Sequence, residues 1–161
     1  MKRKGISPVI ATVIIVAVAI AIAIAVAFWM TGIVGLFTGF EQVKVVNAYA
    51  EWDNQNQQWS VVVTLKNTGT SDATIDDIFI NGKPLSAWTG ITATIDADND
   101  GNAEDTWQAG NTYNPVPFPA GNTGTITLTI QTASGLQHGQ SVEVKVHTAS
   151  GQEYPKLVVL P

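Results

Sequence analysis

The sequence predicts an α+β chain: one long N-terminal apolar α-helix, followed by a β-sandwich head. Three observations predict it. No charged residue occurs from Ile6 to Phe40. All 13 carboxylates lie at or beyond Glu41, so the polarity of the chain changes abruptly there. Beyond that point, short β-branched runs alternate with Gly, Asn and Pro turn signals. The expected organisation is a basic leader at 1–5, an apolar helix at 6–42 and a globular sandwich at 43–161.

The leader holds Lys2, Arg3 and Lys4, followed by Gly5. Ser7 then suits an N-cap, and Pro8 suits the first helical position. As a helix the apolar run would be ~52 Å long at ~1.5 Å per residue. A bilayer's hydrocarbon core needs only ~30 Å. An ordinary secretory signal has an apolar core of about 7–15 residues, so this run is too long for one. A permanent anchor accounts for the hydropathy and for the basic flank, which would hold the N-terminus in the cytoplasm and the head outside.

An anchor does not account for the pattern inside the run. From Val16 to Ala27, Val or Ile alternates strictly with Ala. Alternation has the period of a strand, but an isolated strand cannot satisfy its backbone in lipid. In a helix the same pattern places Ala17, Ala21 and Ala25 on one stripe, and Ala19, Ala23 and Ala27 on another. Gly32, Gly35 and Gly39 continue the small-residue spacing. Small residues four apart let helices approach closely. The helix is built to pack against copies of itself.

Lys4-Gly5-Ile6-Ser7-Pro8-Val9-Ile10-Ala11, with the Ile/Val/Ala run after it, resembles the N-terminus of archaeal type IV pilin precursors. The resemblance implies a class III signal peptide, cut by a prepilin peptidase between Gly5 and Ile6. It implies a precursor in the cytoplasmic membrane and a mature subunit in an extracellular, adhesive filament. It also implies an assembly ATPase and a platform membrane protein as partners, and the chain itself as the main partner in a helical homopolymer. Bacterial relatives usually carry Glu at the fifth mature position, which is Ile10 here; archaeal relatives often lack it. Two other readings stand beside this one: a subunit of the archaellum, the motility filament, and a membrane-anchored extracellular binding domain.

The head is expected to contain seven strands. Val43 to Trp52 mixes polar and apolar residues at strand spacing. Trp59 to Leu65 is rich in β-branched residues and ends at the turn signal Asn67-Thr68-Gly69. Ala73 to Ile80 closes at Asn81-Gly82, a hairpin dipeptide. Ile91–Ile95, Gly124–Gln131, Ser141–Thr148 and Tyr154–Leu160 follow. Seven short strands with regular turns imply an immunoglobulin-like sandwich. The Pro-rich stretch at 108–123 is expected to cross between the sheets or to cover an edge.

Net charge is −5. After Gly5 the cations are Lys44, Lys66, Lys83, Lys145 and Lys156, so five against 13 carboxylates leaves −8. Such a head repels nucleic acid, which needs clustered cations. There is no Cys, hence no disulfide framework. Asp96, Asp98 and Asp100, followed by Gly101, have the spacing of a calcium loop, with Glu104 and Asp105 close by. An EF-hand would need Glu where Trp107 stands, so the alternative is a solvated acidic hairpin tip. No cofactor is required, and Ca2+ at this loop is the one candidate. His138 and His147 lie in different elements, which does not suit zinc. No nucleophile motif or phosphate loop occurs, so no enzyme activity is expected. Trp52, Trp59, Trp88, Trp107, Tyr113 and Phe118 are expected to pack rather than to form a sugar platform. No Asn-x-Ser/Thr sequon is present, which excludes N-glycosylation at that motif.

Overall fold

A computed structural model describes residues 7–37, 39–111 and 113–161, the side chains of residues 35–37 excepted. The chain divides into two units, with the boundary between Gly39 and Phe40.

Among its described residues the first unit holds one helix, α1, Pro8–Phe37, of 30 residues. The carbonyl of Ser7 accepts the first helical bond, from the Ala11 N–H at 3.2 Å, which makes Ser7 the N-cap as expected. The helix stops short of residue 42. Residues 40–42 are claimed by the head instead. The Phe40 carbonyl accepts from the Thr70 and Ser71 N–H groups at 3.0 and 3.3 Å. The Gln42 carbonyl accepts from Thr68 and Gly69 at 2.7 and 3.1 Å. These four bonds hold residues 40–42 against the turn at 68–71.

The second unit is a sandwich of two antiparallel sheets. The strands are β1 Val43–Asp53, β2 Gln58–Asn67, β3 Ala73–Ile80, β4 Lys83–Pro84, β5 Ile91–Asp96, β6 Asp105–Gln108, β7 Val116–Phe118, β8 Thr123–Gln131, β9 Ser141–Thr148 and β10 Glu153–Val159. One sheet runs β1-β2-β8-β5-β6. The other runs β10-β9-β3-β4, with β7 also on β3. The seven strands expected from the sequence are β1, β2, β3, β5, β8, β9 and β10. Lettered A to G in chain order, they form an ABED sheet and a CFG sheet, which is the immunoglobulin constant-type arrangement.

The three short strands complete the sheet margins. β6 extends the first sheet beyond β5, pairing Ala93 with Trp107. β4 and β7 cover opposite ends of the outer edge of β3, through Ile80↔Lys83 and Ala73↔Phe118. The Pro-rich stretch therefore does both things expected of it: it crosses from the first sheet to the second, and it covers an edge. Pro117 lies within β7, where an edge strand tolerates the missing N–H.

Alternation dictates the core. β2 turns Trp59, Val61, Val63 and Leu65 inward, and β8 turns in Ile126, Leu128 and Ile130. They face Ile75, Ile78 and Ile80 of β3 and Val142, Val144 and Val146 of β9. Trp59, Trp107 and Phe118 are buried; Trp52, Trp88 and Tyr113 pack against the core from its margins. Asn67 is the buried polar hub under the residue 40–42 segment. Its Nδ2 donates to the Ser71 and Phe118 carbonyls at 3.1 and 3.0 Å, and its Oδ1 accepts from the Gly69 N–H.

Candidate functional site

Three places hold chemistry beyond the core: the helix surface, the hairpin tip between β5 and β6, and a cleft on the outer edge of β3.

From Pro8 to Val34 the helix is long and apolar enough to cross a membrane. Its side chains there are exposed, apart from the half-buried Ala11 and Ile33. There is no acidic residue in the first turn and no basic residue in the last. A helix that is apolar on every side belongs in lipid or inside a larger apolar core. Both settings penalise an unpartnered polar group. The described hydroxyls inside the helix are partnered locally: Thr12 donates to the Val9 carbonyl at 2.9 Å, and Thr31 to Ala27 at 2.7 Å.

The Ala17–Ala21–Ala25 and Ala19–Ala23–Ala27 stripes lie on nearly opposite sides of α1, because two residues advance the helix by about 200°. Ala17 lines a shallow apolar notch of about 370 Å³ with Thr12, Val13, Val16 and Ile20. Such a notch receives a side chain from a neighbouring helix. Gly32 lies in the helix, and a Cβ there would meet nothing within 4 Å. Nothing among the described residues requires glycine at that position, although glycine weakens a helix interior by roughly 1 kcal/mol relative to Ala. Gly35 is also helical, and Gly39 follows the helix. Gly5 and Ile6, the expected cleavage pair, lie outside the described residues.

At the hairpin tip, Asp96, Asp98 and Glu104 bring one carboxylate oxygen each to within 4.8 Å of one another. Asp100 is not in this group. Its carboxylate turns to Asn102, accepting from the backbone N–H at 2.7 Å and the side-chain amide at 3.1 Å, which lowers its pKa. Glu104, already close to the loop in the sequence, is carried into the group because β6 folds back along β5. The cluster is already partly satisfied. Asp96 accepts from the Asn99 and Gly101 N–H groups at 2.6 and 3.1 Å, and Glu104 accepts from Ala97. Three converging carboxylates suit a hard divalent cation. Excess calcium is expected to raise the melting temperature of the head, with about 2.7 kcal/mol available at 100 times the Kd. Equal melting temperatures in calcium and in chelator would identify a tip closed by its own hydrogen bonds.

The cleft, of about 290 Å³, opens on the outer edge of β3 between the stretches covered by β4 and β7. Asp76, Asp77, Ser86, Asn111 and Tyr113 line it. Tyr113 ties the sheets together here. It stacks on Trp107 of β6 with ring centroids 4.5 Å apart, and its hydroxyl donates to Asp77 of β3 at 3.2 Å. Burial, and then the Asp77 charge, raise the Tyr113 pKa. The imidazole of His147 meets Asp76 at 2.6 Å. Sequence reading weighed His147 only against zinc, with His138 in a different element. It missed this pair because Asp76 lies 71 residues away, at a bulge in β3. His138 packs against the edges of Trp52 and Trp59 at the far end of the sandwich.

No known family and no curated protein matches this chain. Among solved structures, it is similar to a flagellar-like filament, with 15% identity and a TM-score of 0.38 over 96% of this chain and 98% of that one. It is similar to the apo PCuAC domain from PmoF1, with 14% identity and a TM-score of 0.45 over 76% of this chain and 98% of that one. It is also similar to the archaellum periplasmic stator protein FlaG from Sulfolobus acidocaldarius, with 16% identity and a TM-score of 0.37 over 73% of this chain and 99% of that one.

Proposed function

We propose that this chain is the structural subunit of an extracellular archaeal type IV-like pilus, polymerising through its N-terminal helix. The observation that carries the reading is α1 itself: a 30-residue helix without a charged residue, its described side chains exposed apart from Ala11 and Ile33, with small-residue stripes on two opposite sides. One stripe would suffice for a dimer. Two let each helix contact neighbours on both sides at once, as a continuous helical core requires. The precursor would rest in the cytoplasmic membrane, and on assembly the helix would exchange lipid for copies of itself. The sandwich, whose core closes without the helix, would coat the fibre.

Electron microscopy of cell-surface fibres, with mass spectrometry of their subunit, tests the reading. Fibres containing this chain support it. Swimming lost with those fibres would make it an archaellum subunit instead. A chain found only as a membrane-bound monomer would make it an anchored binding domain.

Processing has its own test. The mature chain is expected to begin at Ile6, cut by a prepilin peptidase. Gly5→Trp should block the cut, because the site would no longer be small, and the precursor should accumulate in the membrane. Assembled fibres whose N-terminal sequence begins at Met1 would remove the peptidase from the account.

A further inference from the structure

We propose that the outer face of the first sheet is a docking surface for an extended, uncharged, β-linked polysaccharide. The inference deepens the filament reading, on which its adhesive role rests, by naming the surface and the class of target.

Register builds the face. The sheet order is β1-β2-β8-β5-β6, and the outward residues fall into rows across it. Ser60, Thr129, Thr92 and Gln108 form one row. Val62, Thr127, Thr94 and Thr106 form the next, with Tyr49 of β1 at its head. Neighbours stand ~4.8 Å apart across the strands and ~6.7 Å apart along them. No charged residue lies among these eight four-strand positions. The charged groups of this face stand at its borders: Lys44 and Lys66 near the start of β1, Glu51 and Asp53 near its end, and the acids of the β5–β6 tip, with Asp96 beside Thr125. Threonine's β-propensity accounts for its use on a strand. It does not account for the missing charges. The outer face of the second sheet follows the same alternation and carries Asp76 and Asp77 on β3, and Glu143, Lys145 and His147 on β9.

The hydrogen-bonding groups of the face are free to bind. The hydroxyls of Ser60, Thr92, Thr94, Thr106, Thr127 and Thr129 make no hydrogen bond to another described residue. Thr125, in the next row, is occupied by Asn99 at 3.0 Å. The two rows end at a cleft of about 320 Å³ along the outer edge of β6, lined in part by Gln108, Asn111, Tyr113 and Asn114. The side-chain amides of Gln108, Asn111 and Asn114 also lack a partner among the described residues. Asp105 lines the cleft too, but its carboxylate oxygens accept from the Thr106 N–H at 2.8 Å and the Trp107 indole N–H at 3.1 Å.

Hydroxyls and amides each donate and accept, so the matching ligand also does both and carries no charge. With no cation inside the field, sulfated, phosphorylated or carboxylated chains are disfavoured. The Thr methyl groups and Val62 suit the C–H faces of sugar rings, and the exposed Tyr49 ring offers one to stack on. The face is open and five strands wide, ~19 Å, which suits an extended chain rather than a single sugar. In a fibre every head repeats the surface, so weak binding by one head is multiplied.

The test is retention of the detergent-solubilised full-length chain on two insoluble uncharged polymers, β-1,4-glucan and β-1,4-linked N-acetylglucosamine. Insoluble carboxymethylated β-1,4-glucan is the anionic comparator. The wild-type chain is expected to bind at least one uncharged polymer and not the carboxymethylated one. Thr94→Val with Thr127→Val removes two central hydroxyls at nearly constant volume and should weaken binding about tenfold. Lys145→Gln, on the second sheet, should leave binding unchanged. Unchanged melting confirms that each variant is folded. Retention on neither uncharged polymer, equal retention on charged and uncharged glucan, unchanged binding by the double Val variant, or a loss caused by Lys145→Gln would overturn the proposal. Fibre counts are read separately. A chain that forms fibres and binds neither polymer leaves the filament reading standing; one that binds and forms no fibres overturns the filament reading alone.

Discussion

Ala21→Leu is expected to leave the amount of membrane-bound chain unchanged and to remove most or all fibres. Ala21 sits in the middle of α1, with Ala17 and Ala25 one turn away on either side. Leucine is a strong helix former and is readily accepted by a bilayer, so neither helicity nor insertion should suffer. A lone anchor would tolerate the larger side chain, because lipid adapts around it. In a packed core the added bulk must push neighbouring helices apart or force strained rotamers, at ~1–3 kcal/mol per subunit. Every subunit repeats that penalty, so a modest local cost becomes a large effect on a long polymer. Immunoblotting of membranes with fibre counts by electron microscopy reads both quantities. Ile22→Leu, which conserves volume next door, is the control. Abundant normal fibres from Ala21→Leu would mean that this stripe faces open space.

Gly69→Ala is expected to destabilise the head and release the segment that leads into it. A Cβ on Gly69 would stand 2.5 Å from the Phe40 carbonyl oxygen and 2.6 Å from the Gln42 backbone nitrogen. Both are main-chain atoms, so no side-chain rotation relieves the clash. Either the turn at 68–71 or the segment at 40–42 must move. The bonds at risk are those from the Thr68, Gly69, Thr70 and Ser71 N–H groups to the Phe40 and Gln42 carbonyls. Glu41, which accepts from Thr148 and Tyr154, would move with them. Overpacking of this kind costs about 1–3 kcal/mol, or on the order of 5–10 °C in melting temperature for a domain of this size. Faster amide exchange at residues 68–71 should accompany it. Unchanged melting and exchange would mean that the segment is not held by this turn.

Much of this architecture is legible in the sequence because burial has a period. A run free of charge from Ile6 to Phe40 has no soluble alternative to a helix that is covered by lipid or by other helices. The Val/Ile–Ala alternation, strand-like by period, becomes two opposite stripes once lipid forbids an isolated strand. In the head, inward and outward residues alternate along β2, β5, β8 and β9, and β1 and β3 carry the pattern on either side of a bulge. The Ser7-Pro8 start and the Asn81-Gly82 turn are local chemistry, complete within a few residues.

What the sequence left open depends on groups far apart in the chain. The attachment of residues 40–42 to the head depends on residues 68–71, whose N–H groups take the Phe40 and Gln42 carbonyls. β7 is too short to announce itself, and exists because β3 has an uncovered edge beside the crossing Pro-rich stretch. Asn67 looked like a turn residue and is a buried hub, since Phe118 arrives from another sheet. At the hairpin tip, spacing grouped Asp96, Asp98 and Asp100, whereas the fold gathers Asp96, Asp98 and Glu104. The pairing of β5 with β6 returns the chain beside its own start, and Asp100 is drawn off by Asn102. Periodicity records which face of an element is buried; only the folded chain decides which distant edges and unpaired backbone groups find one another.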